Sequence, residues 1–171
     1  MKEVNVIVLG DTHMPRMAKQ LPKRLICELK TANLIIHVGD WQTREVYEQL
    51  KEFAPVKGVY GNVDEPFFHD HFQATLMLNL AGHRIGVTHG HGKGKTTEKR
   101  ALEKFSDQDV ELILFGHSHI PLHKEYEGRV IFNPGSPTDK RRQSHYSFGK
   151  LTLFRNEPIQ IEHIFFVDKK H

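Results

Sequence analysis

The sequence holds one cysteine, Cys27, and one tryptophan among 171 residues. A single thiol excludes an intrachain disulfide and argues against a thiolate-based structural zinc site; it fits a reducing compartment. No apolar run approaches the ~18 residues of a membrane span. The opening stretch MKEVNVIVLGDTH has neither the longer apolar core nor the cleavage site of a signal peptide, and this predicts a cytoplasmic location. Strong charge is missing too. The net charge is +3, so the composition does not mark a dedicated nucleic-acid binder, although KGKTTEKR and DKRRQ are local basic clusters. Repeats, low-complexity tracts and linkers are absent, which predicts one domain over residues 1–171.

Histidine, by contrast, is abundant, with 13 residues. Hydrophobic residues make up 38% and charged residues 26%, and the mean hydropathy is −0.50. Such a chain can bury a sizeable core. The first part alternates short apolar runs with amphipathic stretches. VNVIVLG, NLIIHVGD and PVKGVYGN read as buried strands; PKRLICELKT and QTREVYEQLKEF read as helices. This order predicts a mostly parallel core sheet with helices packed on it. The pattern then changes. Hairpins are expected near Ala81-Gly82 and across Glu127-Gly128, with a helix over TTEKRALEKFS and a strand over VELILFG between them. A last antiparallel pair is expected around Arg155-Asn156-Glu157.

The apolar strands end alike. The first runs into Gly10-Asp11-Thr12-His13, the second into Gly39-Asp40, the third into Gly61-Asn62-Val63-Asp64. Two later strands run into His89-Gly90-His91 and Gly116-His117-Ser118-His119. In open α/β sheets, ligands bind beyond the carboxyl ends of strands. One aspartate after a strand is ordinarily a turn or helix cap, and one histidine is ordinarily surface or hydrogen-bonded core. Five such ends together point to a metal site. Mixed carboxylate, amide and imidazole donors suit manganese, iron, cobalt, nickel or zinc better than calcium. Asp11 and His13 are two apart, as are His117 and His119; in extended chain each pair would share a face.

HGHGKGKTT looks like a phosphate-binding loop but fails the spacing. Counting back from Gly94-Lys95-Thr96 puts His89 where the first glycine must stand. A glycine-rich loop with solvated lysines, leading into a helix, is the better reading.

In order, GDTH, GDW, GNVDE, THGH and GHSH resemble the motif set of the calcineurin-like metallophosphoesterases, and NPGSP is a further mark of that family. The resemblance covers nearly the whole chain, and its spacing is similar to that of the small YfcE-like bacterial phosphodiesterase branch, related to the retromer vacuolar sorting subunit. It implies an α/β fold, a four-layer α-β-β-α sandwich of two mixed β-sheets flanked by helices. It implies two divalent metal ions per chain, manganese first, with nickel, iron, cobalt or zinc as alternatives. Carried over by motif, Asp11, His13 and His119 would hold one metal, Asn62, His89 and His117 the other, and Asp40 would bridge both.

The implied activity is hydrolysis of a phosphate ester, a phosphodiester before a monoester, by a hydroxide bridging the metals. Val63 stands where many members carry a proton-donating histidine; His91 is the nearby candidate for that role. Asp64 is expected to orient a ligand or cap a turn. Without a dedicated acid, leaving groups of low pKa should react best. The alternative reading is a non-catalytic protein-binding scaffold of the same fold, as in the retromer subunit. Neither a membrane nor nucleic acid is an expected partner, and homo-oligomer formation is left open.

Overall fold

The first apolar run, Val4–Leu9 (β1), divides its side chains between two cores. Val6 and Val8 point one way, Ile7 and Leu9 the other, and all four are buried. This period-2 division of a wholly apolar strand is what a sheet covered on both faces requires. The structure is a computed structural model and describes residues 2–170.

After β1 the chain runs through α1 (Lys23–Leu29), β2 (Leu34–His37), α2 (Arg44–Lys51), β3 (Val56–Gly58) and α3 (Pro66–His71). It continues through β4 (Thr75–Leu80), β5 (His83–Thr88), α4 (Thr97–Lys104), β6 (Leu112–Leu114), β7 (Leu122–Tyr126) and β8 (Arg129–Asn133). It finishes with β9 (Tyr146–Leu153) and β10 (Gln160–Phe166). Two five-stranded sheets result, in the orders β10-β9-β1-β2-β3 and β4-β5-β6-β8-β7.

Three apolar clusters define four layers. Between the sheets, Val6, Val8, Ile36 and Val38 meet Ile85, Val87, Leu114 and Phe132. On the outer face of the first sheet, Ile7, Leu9 and Ile35 pack with Leu25 and Leu29 of α1, Val46 and Leu50 of α2, and Phe68 of α3. On the outer face of the second, Ile113, Phe115 and Ile131 pack with Ala101 of α4. The expected four-layer α-β-β-α sandwich of mixed sheets is therefore the observed fold.

Details differ from the sequence reading. The core sheet is not mostly parallel. β1 pairs parallel to β2, and β2 to β3, but β9 pairs antiparallel to both β1 and β10. The later strand β9 inserts beside β1, a pairing across most of the chain that local pattern cannot specify. β3 is only Val56–Gly58, because the chain then curls into the Gly61–Asp64 loop. The helix α3 was not expected. Pro66 at its first position was its one local signal; its six residues are held by Phe68, stacked on Trp41 at 4.9 Å. The two hairpin turns match expectation. Ala81-Gly82 and Glu127-Gly128 both have positive φ at each residue, as a two-residue hairpin turn matched to strand twist demands.

Candidate metal centre

The parallel strands β1, β2 and β3 of one sheet and β5 and β6 of the other end at the same edge of the sandwich. Asp11 and His13 follow β1, Asp40 follows β2, Asn62 follows β3, His89 follows β5, and His117 and His119 follow β6. Two groups form there, Asp11 with His13 and His119, and Asp40 with His89 and His117. Within each group, one ligand atom per residue lies within 4.8 Å of the others.

The groups adjoin one another. The Asp40 carboxylate is 3.2 Å from His89 Nε2 on one side and 3.6 Å from His13 Nε2 on the other. Asp11 Oδ1 is 3.8 Å from His119 Nε2 and 3.9 Å from His89 Nε2. Asn62 Oδ1 lies 3.1 Å from His89 Nε2. Thus all seven sequence-identified residues gather at one place. His91 is exposed at the margin, its ring 5.4 Å from His89 and 6.5 Å from His117.

The loops reach this arrangement by curling, not by extension. Asp11, His13, Asp40, His117 and His119 all have positive φ, between 45° and 72°. That region is costly for residues with a Cβ, and the cost is tolerated where surrounding structure fixes the chain. The consequence differs between the two pairs. Asp11 and His13 fall in the same group, whereas His117 and His119 fall in different ones.

Hydrogen bonds fix the curl. Asp64 accepts the amides of Asp40 at 3.0 Å, Gln42 at 2.8 Å and Gly61 at 2.7 Å, tying the loops after β2 and β3 together. Asp40 Oδ1 accepts the Val63 amide at 3.1 Å. A Cβ at Gly61 would collide with the Asp40 carboxylate and stand 2.5 Å from its amide nitrogen, so glycine is required there. From the second sheet, Ser136 donates to the Asp11 carbonyl at 2.8 Å and Thr138 to the Thr12 carbonyl at 2.6 Å. His37 accepts the Gly39 amide on Nδ1 and so donates from Nε2 to Thr12, at 3.1 Å; the neutral ring stacks on Trp41. Sequence reasoning singled out NPGSP but not the role of Ser136, and it missed Thr138, Asp139 and His37. Their signal was weak, since small polar residues after a strand are ordinary turn formers.

Two histidines are oriented by backbone carbonyls. His89 Nδ1 donates to Val38 at 2.9 Å, and His119 Nδ1 to Asp139 at 2.6 Å. Each Nε2 then faces the cluster, the tautomer a metal-binding imidazole needs. Of the five buried side-chain atoms without a hydrogen-bond partner among the described residues, four are Asp11 Oδ1 and Oδ2, His13 Nε2 and His119 Nε2; the fifth is Gln42 Oε1. Buried polar atoms are normally satisfied, so unpaired carboxylate and imidazole atoms converging on one place fit a cation.

Electrostatics agree. Complete burial pushes the Asp11 carboxyl up to about 7 against the His89 charge, with Asp40 adding to the rise. Burial works against the His89 imidazolium too, but the hydrogen bond to Asp40 and the two carboxylates lift it to about 9. Asp40, despite its burial, is brought down to about 2 by that same partner and by the Val63 amide. Burial, with the His89 charge, takes His117 down to about 4, and burial takes His119 there as well. The cluster thus draws one proton onto His89 and disfavours a second negative charge on Asp11. Divalent cations would relieve both.

Residues 4–155 match the family model described as the calcineurin-like phosphoesterase superfamily domain. A "Probable metallophosphoesterase" of Methanothermobacter thermautotrophicus is 33% identical over 136 residues, 78% of this chain and 77% of that protein. Bacillus subtilis has another, "Probable metallophosphoesterase YsnB", 32% identical over 152 residues, 88% of this chain and 85% of its own. Among solved structures, Vps29 of Chaetomium thermophilum superposes with a TM-score of 0.79 at 20% identity, over 96% of this chain and 98% of that one. At that identity the likeness speaks to fold alone.

Proposed function

We propose that this chain, which belongs to the calcineurin-like phosphoesterase superfamily, hydrolyses phosphodiesters at a two-metal site. The ligands assigned to it are Asp11, His13, Asp40, Asn62, His89, His117 and His119. The supporting observation is the pair of adjoining carboxylate and imidazole groups with their unpaired buried atoms. Manganese is the metal proposed first; nickel, iron, cobalt and zinc suit the same donors.

Two divalent ions held there would supply a water of lowered pKa and positive charge against the phosphate oxygens. The chain's own contributions follow from its geometry. Asp40 lies between the two groups, which supports its assignment as the bridging ligand. Asn62 adds a neutral oxygen beside His89, where a further carboxylate would repel the substrate's phosphate. Val63, 44% exposed, offers no proton where its side chain stands. His91, an imidazole of the metal-side loops outside the seven proposed ligands, is kept below its ordinary range by partial burial and then by the His89 charge. A neutral imidazole is a poor acid at pH 7, so esters with good leaving groups are the better substrates.

The test is elemental analysis with an ester panel. After manganese loading and desalting, about two equivalents per chain are expected, with faster turnover of nitrophenyl phosphodiesters than of monoesters. Retention of no metal, with no metal-dependent hydrolysis, would overturn the reading. The second reading, a protein-binding scaffold, draws on the fold likeness to Vps29. The complete set of ligand-type residues at the strand ends favours the enzyme.

A further inference from the structure

The basic cluster Lys140-Arg141-Arg142 follows directly on Asp139, whose carbonyl holds His119. The Gln143 amide bonds to the Lys140 carbonyl at 2.9 Å, closing a turn with Arg141 at φ 49°. This turn and the loop carrying the two histidines after β6 enclose a hollow of about 410 Å³, lined by Ser118, Ile120, Lys140, Arg141, Arg142 and Gln143. Ser118 stands between His117 and His119 in the chain, so one wall of the hollow belongs to the loop that supplies those two candidate ligands, and the other begins one residue after Asp139, whose carbonyl holds His119.

The basic groups here are not equally engaged. Lys140 lies 5.6 Å from the Tyr146 ring. Arg141 and Arg142 are exposed, and among the described residues neither side chain has an ion pair or hydrogen bond. Arg100, on the opposite side near His91, is different. Its guanidinium donates to the Gly90 carbonyl at 2.8 Å, to the Lys95 carbonyl and to Thr97, and so braces that loop. Free guanidinium groups in a hollow that shares a loop with candidate metal ligands suit a planar, bidentate acceptor.

We propose that Arg141 and Arg142 form a subsite for a second phosphate group, and that the natural substrate is a small phosphodiester carrying a further phosphate near the scissile one. This rests on the phosphodiesterase reading and narrows its substrate class. Ile120, 50% exposed at the same hollow, offers an apolar surface for the part of the substrate joining the two phosphates.

Two probes with one leaving group test it: thymidine 5′-(p-nitrophenyl phosphate), with and without a 3′-phosphate. Wild type should prefer the 3′-phosphorylated probe by about tenfold or more in kcat/KM, the size of one or two charge-assisted hydrogen bonds. The double variant Arg141→Gln/Arg142→Gln should bring the ratio near one. A control of equal charge change at the C-terminal ends of α1 and α2, Lys30→Gln/Lys51→Gln, should keep it. A wild-type ratio near one, or a preference that survives in the Arg141/Arg142 variant, overturns the subsite. Binding is read separately by amide NMR with inorganic pyrophosphate on metal-free protein. Shifts at residues 140–143, lost in the variant, support the subsite even if neither probe is turned over, an outcome that would instead sink the phosphodiesterase reading. Shifts absent there overturn it.

Discussion

The carboxylate of Asp64 accepts the backbone amide of Asp40 at 3.0 Å, so one buried acid holds the loop that presents another. Asp64 accepts two further amides, from Gln42 and Gly61, and its pKa is raised chiefly by burial. Asp64→Ala leaves three amide donors without their acceptor and is expected to cost about 2–4 kcal/mol of stability. Asp64→Asn keeps one acceptor oxygen and should cost less. Urea denaturation of the three proteins, with metal retention measured alongside, checks this; wild-type stability in Asp64→Ala would refute the anchoring role.

Asp40→Asn removes the carboxylate between the two groups while keeping shape and the oxygen that accepts the Val63 amide. Hydrolysis should fall by at least about 10²-fold, the scale of losing one preorganised electrostatic partner at a reacting phosphate. The far-UV circular dichroism spectrum should be unchanged. Near-normal turnover with unaltered metal dependence would remove Asp40 from the bridging position.

His91→Gln tests for a general acid. A working acid contributes ~10²–10⁴-fold and matters most for poor leaving groups. Because His91 is exposed and its pKa is lowered, the variant should slow alkyl and nitrophenyl esters alike or hardly at all. The readout is the dependence of rate on leaving-group pKa. A clearly steeper dependence in the variant, at unchanged metal content, would make His91 the acid.

Away from the site, His83 is hydrogen-bonded to Glu111 at 3.1 Å and to the Phe154 carbonyl at 2.9 Å. Burial works to lower its pKa, but these two acceptors raise it above 6.5, and Glu111 is lowered below 4.5 by His83 and Arg84 against its own desolvation. A raised histidine stabilises below 6.5 and loses that contribution as pH climbs through its folded value; a lowered glutamate stabilises above 4.5 and loses it as pH falls. The pair therefore contributes most between about pH 4.5 and 6.5. Glu111 is 39% exposed, which keeps the contribution below about 1 kcal/mol. The stability gap between wild type and His83→Gln should be wider at pH 5.5 than at pH 9. A gap independent of pH would show that His83 acts by packing alone.

Much of this protein could be read without coordinates. Apolar runs of strand length, each ending in a glycine or a metal-type side chain, specified both the strands and the edge where chemistry gathers, because a buried strand must surface at its end and only its last side chains are free for function. The two hairpins were legible from Ala81-Gly82 and Glu127-Gly128 for an equally local reason, the positive φ their turns need.

What local pattern did not contain was decided by contacts distant in the chain. The insertion of β9 beside β1 turned a nominally parallel sheet into a mixed one. The six-residue α3 exists because Phe68 has Trp41 to pack on, not because its own sequence sustains a helix. The spacing of two in His117-Ser118-His119 suggested side chains on one face of an extended chain. The family resemblance, not that spacing, assigned one histidine to each metal, and the folded loop, curled at positive φ, does send one ring to each group. The residues that hold the loops, Ser136, Thr138 and Asp139, were illegible for the same reason. Their partners Asp11, Thr12 and His119 belong to other strand ends, and a hydrogen bond between remote segments leaves no periodicity in either one.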